Sequence, residues 1–229
     1  MARPLPYVIW PRDLCSPVEW NYGFDPQSTG GEQLSLSGRL HTASAGRGIW
    51  RPTLTTVVHK SRNYAAWRGL GAQIGGRDVP VLVPYYPAFG PWLSEQNSTS
   101  FSDGSTFSGS SEFNGFRSRL TIAKAAGAGE VFVTLNKTYA GDVLSGHAFS
   151  VNGRLYEVRF VHDQTDDVAL IEVQPELRFD VSVGDIADFD EPNVFSRLVN
   201  PQAFSQSVGT LFDGAFSISF IEDTAPIIQ

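Results

Sequence analysis

Cysteine and methionine are almost missing from this 229-residue chain, which has one of each, Cys15 and Met1. A lone cysteine excludes an internal disulfide and any metal site built from several thiolates. As a small apolar residue, Cys15 is expected simply to pack. No apolar run approaches the roughly 20 residues of a membrane-crossing helix, so no membrane insertion is expected. The start, Met1-Ala-Arg-Pro-Leu-Pro, is broken by proline and lacks the basic-then-apolar order of a signal peptide, so synthesis and folding in a cytoplasm are expected. Charge is scarce too: 18% of residues are charged, and 17 Lys and Arg face 24 Asp and Glu. The net charge of −7 is concentrated in 120–192, and that acidic part is not suited to binding DNA by phosphate neutralisation, which needs Lys and Arg.

Turn formers and aromatics are plentiful, with 22 Gly, 14 Pro, 16 Phe and 5 Trp. That composition favours short strands and many turns over long helices. The region 131–186 carries the clearest β signals: Val131–Leu135, Ala148–Val151, Arg154–Val161 and Val168–Val173 are rich in β-branched and aromatic residues. Asn152-Gly153 between the second and third of these is a hairpin signal, because a type I′ turn needs positive φ at both central residues. Earlier in the chain, Tyr7–Trp10 and Val18–Tyr22 read as strands, the latter with Val18, Trp20 and Tyr22 at period two. Trp50–Val58 is a further strand in which Pro52 points to an edge or a strand start. One helix is expected over Ser61–Ile74, capped by Ser61 and ended by Gly75-Gly76, with Tyr64, Trp67, Leu70 or Gln73, and Ile74 forming the stripe that packs on a sheet. Val79–Pro84 then resumes strand character.

The chain closes on another strand, Ala215–Ile221, whose obvious partners lie before residue 120. An inserted domain is therefore expected: one β domain from 1–119 with 193–229, interrupted by an acidic β domain over 120–192. Charge supports this division. Residues 120–192 hold 13 acidic and 5 basic residues, a balance of −8, while the remainder holds 11 and 12, a balance of +1. Within the first domain, 88–119 is an arm or long loop, rich in Ser and Gly yet carrying Phe101, Phe107, Phe113 and Phe116. A plain flexible linker has no use for four phenylalanines, so these residues, with the proline-marked strand at Pro52, are the candidates for subunit contacts.

No catalytic constellation is visible. His41, His59, His147 and His162 stand alone, without paired-histidine spacing, and there is no nucleophile elbow, phosphate loop or dinucleotide fingerprint. Gly69-Leu-Gly-Ala-Gln-Ile-Gly-Gly closes a helix instead of opening one. Asp163, Asp166 and Asp167 lack the ligand alternation of a calcium loop and read as a solvated hairpin turn. Glu172, Glu176, Asp185, Asp188 and Asp190 read as a hydrated acidic face. No enzyme activity, cofactor or metal is expected.

The order of elements resembles that of the distal tail proteins of long-tailed bacteriophages and gene transfer agents. The likeness is carried by the early aromatic strands around Trp10 and Trp20, the strand Arg51-Pro-Thr-Leu-Thr-Thr-Val-Val, the helix Tyr64-Ala-Ala-Trp-Arg-Gly-Leu and Gly76-Arg-Asp-Val-Pro-Val-Leu-Val-Pro. The Phe-Ser-Asp-Gly-Ser-Thr-Phe-Ser-Gly loop and Gly146-His-Ala-Phe-Ser-Val-Asn-Gly-Arg-Leu-Tyr-Glu-Val are similar to stretches of uncharacterised tail proteins. The resemblance implies a mainly β fold: a tail-tube-like sandwich or barrel with one flanking helix, carrying a small inserted β-barrel. It also implies a hexameric ring at the tail tip of a virion. That ring would contact the tail tube protein on one side and tip, hub or fibre proteins on the other, and DNA would pass through its lumen unbound. Two other readings compete with it. One is a β-sandwich module binding glycans or a host surface, with Trp92, Tyr85 and Tyr86 as sugar-stacking candidates. The other is a hydrolase with an unfamiliar site.

Overall fold

The computed structural model describes residues 7–11, 17–25, 33–34, 40–41, 48–58, 61–75, 79–86, 90–91, 118–205 and 214–225. The protein is mainly β. It divides into two compact units, Met1–Tyr85 with Asn193–Gln229, and Tyr86–Pro192. The first boundary thus falls at Tyr85, before the stretch 88–119, and the second at Pro192.

The first unit is built on a six-stranded sheet. In chain order its strands are β1 (Val8–Ile9), β2 (Pro17–Asp25), β5 (Ile49–Val58), β6 (Val81–Pro84), β13 (Asn193–Leu198) and β14 (Gly214–Glu222). The two short strands β3 (Gln33–Leu34) and β4 (Leu40–His41) pair with each other. Across the sheet the order is β1-β6-β13-β14-β5-β2. The last strand, β14, is therefore interior: it lies antiparallel to β5 from Gly214↔Val58 to Ser219↔Thr53, and to β13 from Phe220↔Leu198 to Glu222↔Ser196. Side chains alternate along both long strands. Trp50, Leu54 and Thr56 on β5 and Phe216, Ile218 and Phe220 on β14 are buried, while Arg51, Ala215 and Ser217 face outward.

Helix α1 (Ser61–Ile74) covers the inner face of this sheet. Its apolar stripe is Trp67, Leu70 and Ile74, all buried, with Gln73 exposed. The spacing 67, 70, 74 keeps these residues on one side of a helix that turns every 3.6 residues. Trp67 is the centre of the cluster: its ring lies 4.7 Å from Phe204, 5.0 Å from Phe216 and 6.2 Å from Trp10. Phe204 comes from a 3₁₀ turn, Pro201–Ser205, and packs against Gly71, where an added Cβ would come within 2.9 Å of three Phe204 atoms. Gly75 ends the helix with φ of 59° and donates its N–H to the Gly71 carbonyl at 3.2 Å, a left-handed C-terminal cap. The capping side chain proposed for Ser61 lies outside the described residues.

Pro52 does not mark an edge. β5 runs between β14 and β2, and Pro52 pairs with Tyr22 of β2. The missing N–H is accommodated where the β14 ladder stops, at Thr53↔Ser219. Two residues earlier the Trp50 N–H is taken up by the buried Glu222 carboxylate at 3.1 Å. A side chain thus replaces the strand partner at this point, and Pro52 is buried.

The second unit is a nearly closed, barrel-like sheet. It is formed by β7 (Arg119–Ile122), β8 (Phe132–Tyr139), β9 (Ala148–Val151), β10 (Arg154–Gln164), β11 (Val168–Gln174) and β12 (Ile186–Ala187), in the order β12-β7-β8-β11-β10-β9. Ser150 of β9 then exchanges two backbone hydrogen bonds, 2.9 and 2.8 Å, with Asp188, the residue after β12. That pair joins the two ends of the sheet. The β9–β10 turn has the geometry its sequence demands, with Asn152 at φ 50° and Gly153 at φ 74°. Alternate residues fill the interior: Val133 and Leu135 on β8, Ala169, Ile171 and Val173 on β11, with Phe149, Tyr156 and Phe189 at one end.

The acids at 185–190 are structural acceptors, not a merely hydrated face. Asp188 accepts the N–H groups of Asp190 and Glu191, and Asp185 accepts that of Ser182. Asp190 accepts both the N–H and the hydroxyl of Ser118 at 3.0 Å, tying the strand entering the barrel to the one leaving it. Ser118 is buried, so Asp190→Ala strands its donors and should cost about 1–3 kcal/mol. Chemical denaturation against the parent chain measures this; a loss below experimental error would mean that the clip carries no energy.

Candidate functional site

The described surface offers two features: a sheet edge in the first unit to which no described strand pairs, and an aromatic outer face on the barrel.

The sheet of the first unit ends on β2 at one side and β1 at the other, and among the described residues no strand pairs with either outer edge. β2 is nine residues long. Its first half is exposed on both faces, including Val18 at 58% and Trp20 at 47%, and Ile9 on β1 is 56% exposed. The period-two apolar pattern of Val18 and Trp20 therefore does not bury these residues in the unit's own core. Farther along, Tyr22 turns inward: its hydroxyl donates to the Pro84 carbonyl at 2.7 Å and its ring lies 4.3 Å from Tyr85. Since Pro84 ends β6, next to the opposite edge strand, the sheet is curled enough for a β2 side chain to reach across it. At the far end of β2, Arg51 and Asp25 form a half-exposed ion pair at 3.1 Å, worth under about 1 kcal/mol in solvent.

The barrel's outer face is built on β8, β11 and β10. Glu172 pairs with Phe160 on one side and with Phe132 on the other, forming one cross-strand row. β10 has register shifts between Val158 and Phe160 and between Val161 and Asp163. Such bulges insert an extra residue and re-aim side chains. Arg159, Phe160 and His162 all point outward as a result. Glu172 accepts from Arg159 at 3.1 Å and lies 3.2 Å from His162. The His162 ring stands 5.3 Å from Phe132 and 6.4 Å from Phe160, and the Arg159 guanidinium lies over Phe160 at 5.3 Å.

Of the residues singled out in the sequence, Phe101, Phe107, Phe113, Phe116, Trp92 and His59 lie outside the described residues, as does the side chain of His41. Pro52 is interior, as described above. Tyr85 packs on Tyr22. Among the described residues no group of three or more His, Cys, Asp or Glu is placed to hold a metal ion, and no helix is long and apolar enough to cross a membrane. Phe132, Phe160, Arg159 and Glu172 were not legible as a group, because a bulge shifts side chains by one position and period-two reading cannot register it.

His147 is buried beside Phe189, and its Nδ1 accepts the Leu144 N–H at 3.2 Å. Desolvation lowers its pKa from the ordinary histidine value. The unfolded chain therefore takes up a proton at a higher pH than the folded one. Stability is fully present above about pH 6.5, the unfolded value, and is lost as pH falls toward the depressed folded value. Protonating Nδ1 would also turn an acceptor into a donor facing the Leu144 N–H. The thermal midpoint should therefore drop on acidification from pH 7.5 to 5.5, and the drop should shrink in His147→Gln. An equal slope in both proteins would remove His147 from the pH dependence.

No family model matches the chain, and no curated protein matches it.

Proposed function

We propose that this chain is a structural ring subunit of a phage-type tail, placed between the tail tube and the distal tip, with DNA passing through the ring without specific contacts. The exposed apolar side chains of β2, an edge strand of its sheet among the described residues, carry this reading. A nine-residue edge strand that exposes Val18 and Trp20 is an aggregation hazard unless something covers it. The same sheet ends on β1 at its other side. Two different edges meeting head to tail make a heterologous contact, which closes into a ring when the rotation permits.

Size-exclusion chromatography with light scattering tests the proposal. The parent chain should run as a closed oligomer. The double variant Val18→Lys, Trp20→Lys should run as a folded monomer, because lysines on an edge strand oppose pairing. Two outcomes contradict the proposal: a monomeric parent chain, or a ring unaffected by the two lysines.

A further inference from the structure

We propose that the outer face of β8, β11 and β10, centred on Phe132 and Phe160, docks a polypeptide segment that carries apolar side chains flanked by lysine or arginine. This rests on the barrel alone and does not depend on the ring.

The outer face of a barrel strand is normally polar, with apolar residues turned inward. Here Phe132 and Phe160 stand outward and half exposed, at 50% and 51%, and Val168 follows on β11 at 38%. The half-buried Leu170 lies between them on the same face of β11. The register makes these residues contiguous, because Phe132, Glu172 and Phe160 form a single row across three strands. Two bulges in β10 turn Phe160 and His162 to this side.

The polar groups among the aromatics are already engaged with one another. Glu172 holds both Arg159 and His162, and its side chain is only 17% exposed. A covering partner therefore finds the charges paired and does not leave a buried charge uncompensated, the usual cost at an interface.

Charge selects the partner's sign. The hairpin 154–174 carries Glu157, Asp163, Asp166, Asp167 and Glu172 against Arg154 and Arg159, and Arg154 is buried. Asp163, Asp166 and Asp167 are all exposed around the tip of this hairpin. An apolar segment with basic flanks meets aromatic surface at the centre and carboxylates at the rim. A second copy of this chain, itself at −7, is the poorer match.

The test selects a displayed library of short random peptides on the full chain. Enriched peptides should combine aromatic or aliphatic residues with Lys or Arg. They should lose affinity as salt rises and bind at least about tenfold more weakly to Phe132→Thr, Phe160→Thr, as truncated hot-spot residues do. Both substitutions are exposed and keep β propensity, so the variant should melt like the parent; if it does not, Phe132→Tyr, Phe160→Lys replaces it. Asp163→Asn, Asp166→Asn, Asp167→Asn should reduce the salt dependence and leave melting unchanged. The proposal is overturned by failure to enrich such peptides or by equal binding to the aromatic variant. It is also overturned if the aromatic variant instead abolishes binding to an array of neutral oligosaccharides, or lowers the mass of the parent chain in light scattering; those outcomes would assign the face to a glycan or to a second copy.

Discussion

Trp67→Ala is expected to destabilise the first unit by about 3–5 kcal/mol, the range for deleting a buried aromatic ring. Trp67 is fully buried and bridges three parts of the chain distant in sequence: Trp10 from the first strand region, Phe204 from the 3₁₀ turn and Phe216 from the last strand. No single neighbour can move to fill the space, because each is fixed to a different element. Trp10 is held in turn by Phe220 at 5.7 Å, and Phe204 by Gly71, which leaves no room for a side chain. The loss should therefore lie toward the upper end of the range. Small domains have roughly 5–15 kcal/mol in hand, so much of the unit's stability depends on this one ring. Trp67→Phe keeps an aromatic in the space and should cost less. Urea unfolding followed by far-ultraviolet circular dichroism measures both. A Trp67→Ala loss under about 1 kcal/mol, the ordinary cost of an arbitrary substitution, would show that the helix is not anchored in the way the ring geometry requires.

In the barrel, Phe149→Ala should have an effect of the same order, about 3–5 kcal/mol. The Phe149 ring is stacked on Phe189 at 4.8 Å and 19° and lies 5.8 Å from Tyr156. Its neighbour Ser150 makes the backbone pair with Asp188 that closes the barrel. Phe189 follows Asp188, so the two stacked rings clamp the same seam that the two hydrogen bonds close. Removing one ring should loosen that seam as well as leave a cavity. Amide exchange at Ser150 and Asp188 is therefore expected to accelerate along with the loss of stability. Fast exchange confined to other strands would separate the ring pair from closure.

Local structure was legible in the sequence wherever one side chain or one turn decides it. Asn152-Gly153 announces its hairpin because few residues tolerate positive φ. The helix is readable because Trp67, Leu70 and Ile74 recur at its period and Gly75 ends it. The last strand implied a partner before residue 120, and β5, which ends at Val58, is one; its other partner, β13, lies just upstream of it and was not read as a strand. Illegible features are those set by neighbours in space. β12 is two residues long and has no periodicity of its own, yet the barrel closes beside it. Pro52 signalled an edge, but Glu222, 170 residues later in the chain, supplies an acceptor that lets the strand lie inside the sheet. The exposure of Val18 and Trp20 on β2 could not be read either, since an apolar alternation looks the same whether its partner is the chain's own core or another molecule. Asp190 looked like solvated charge because its hydrogen-bond donor, Ser118, is distant in sequence.

Negative-stain electron microscopy of the purified chain tests the ring proposal most directly. The expected image is a closed, six-fold ring with a central hole, dispersed into single particles by Val18→Lys, Trp20→Lys. Uniform monomers or dimers at concentrations well above those used for imaging would contradict it.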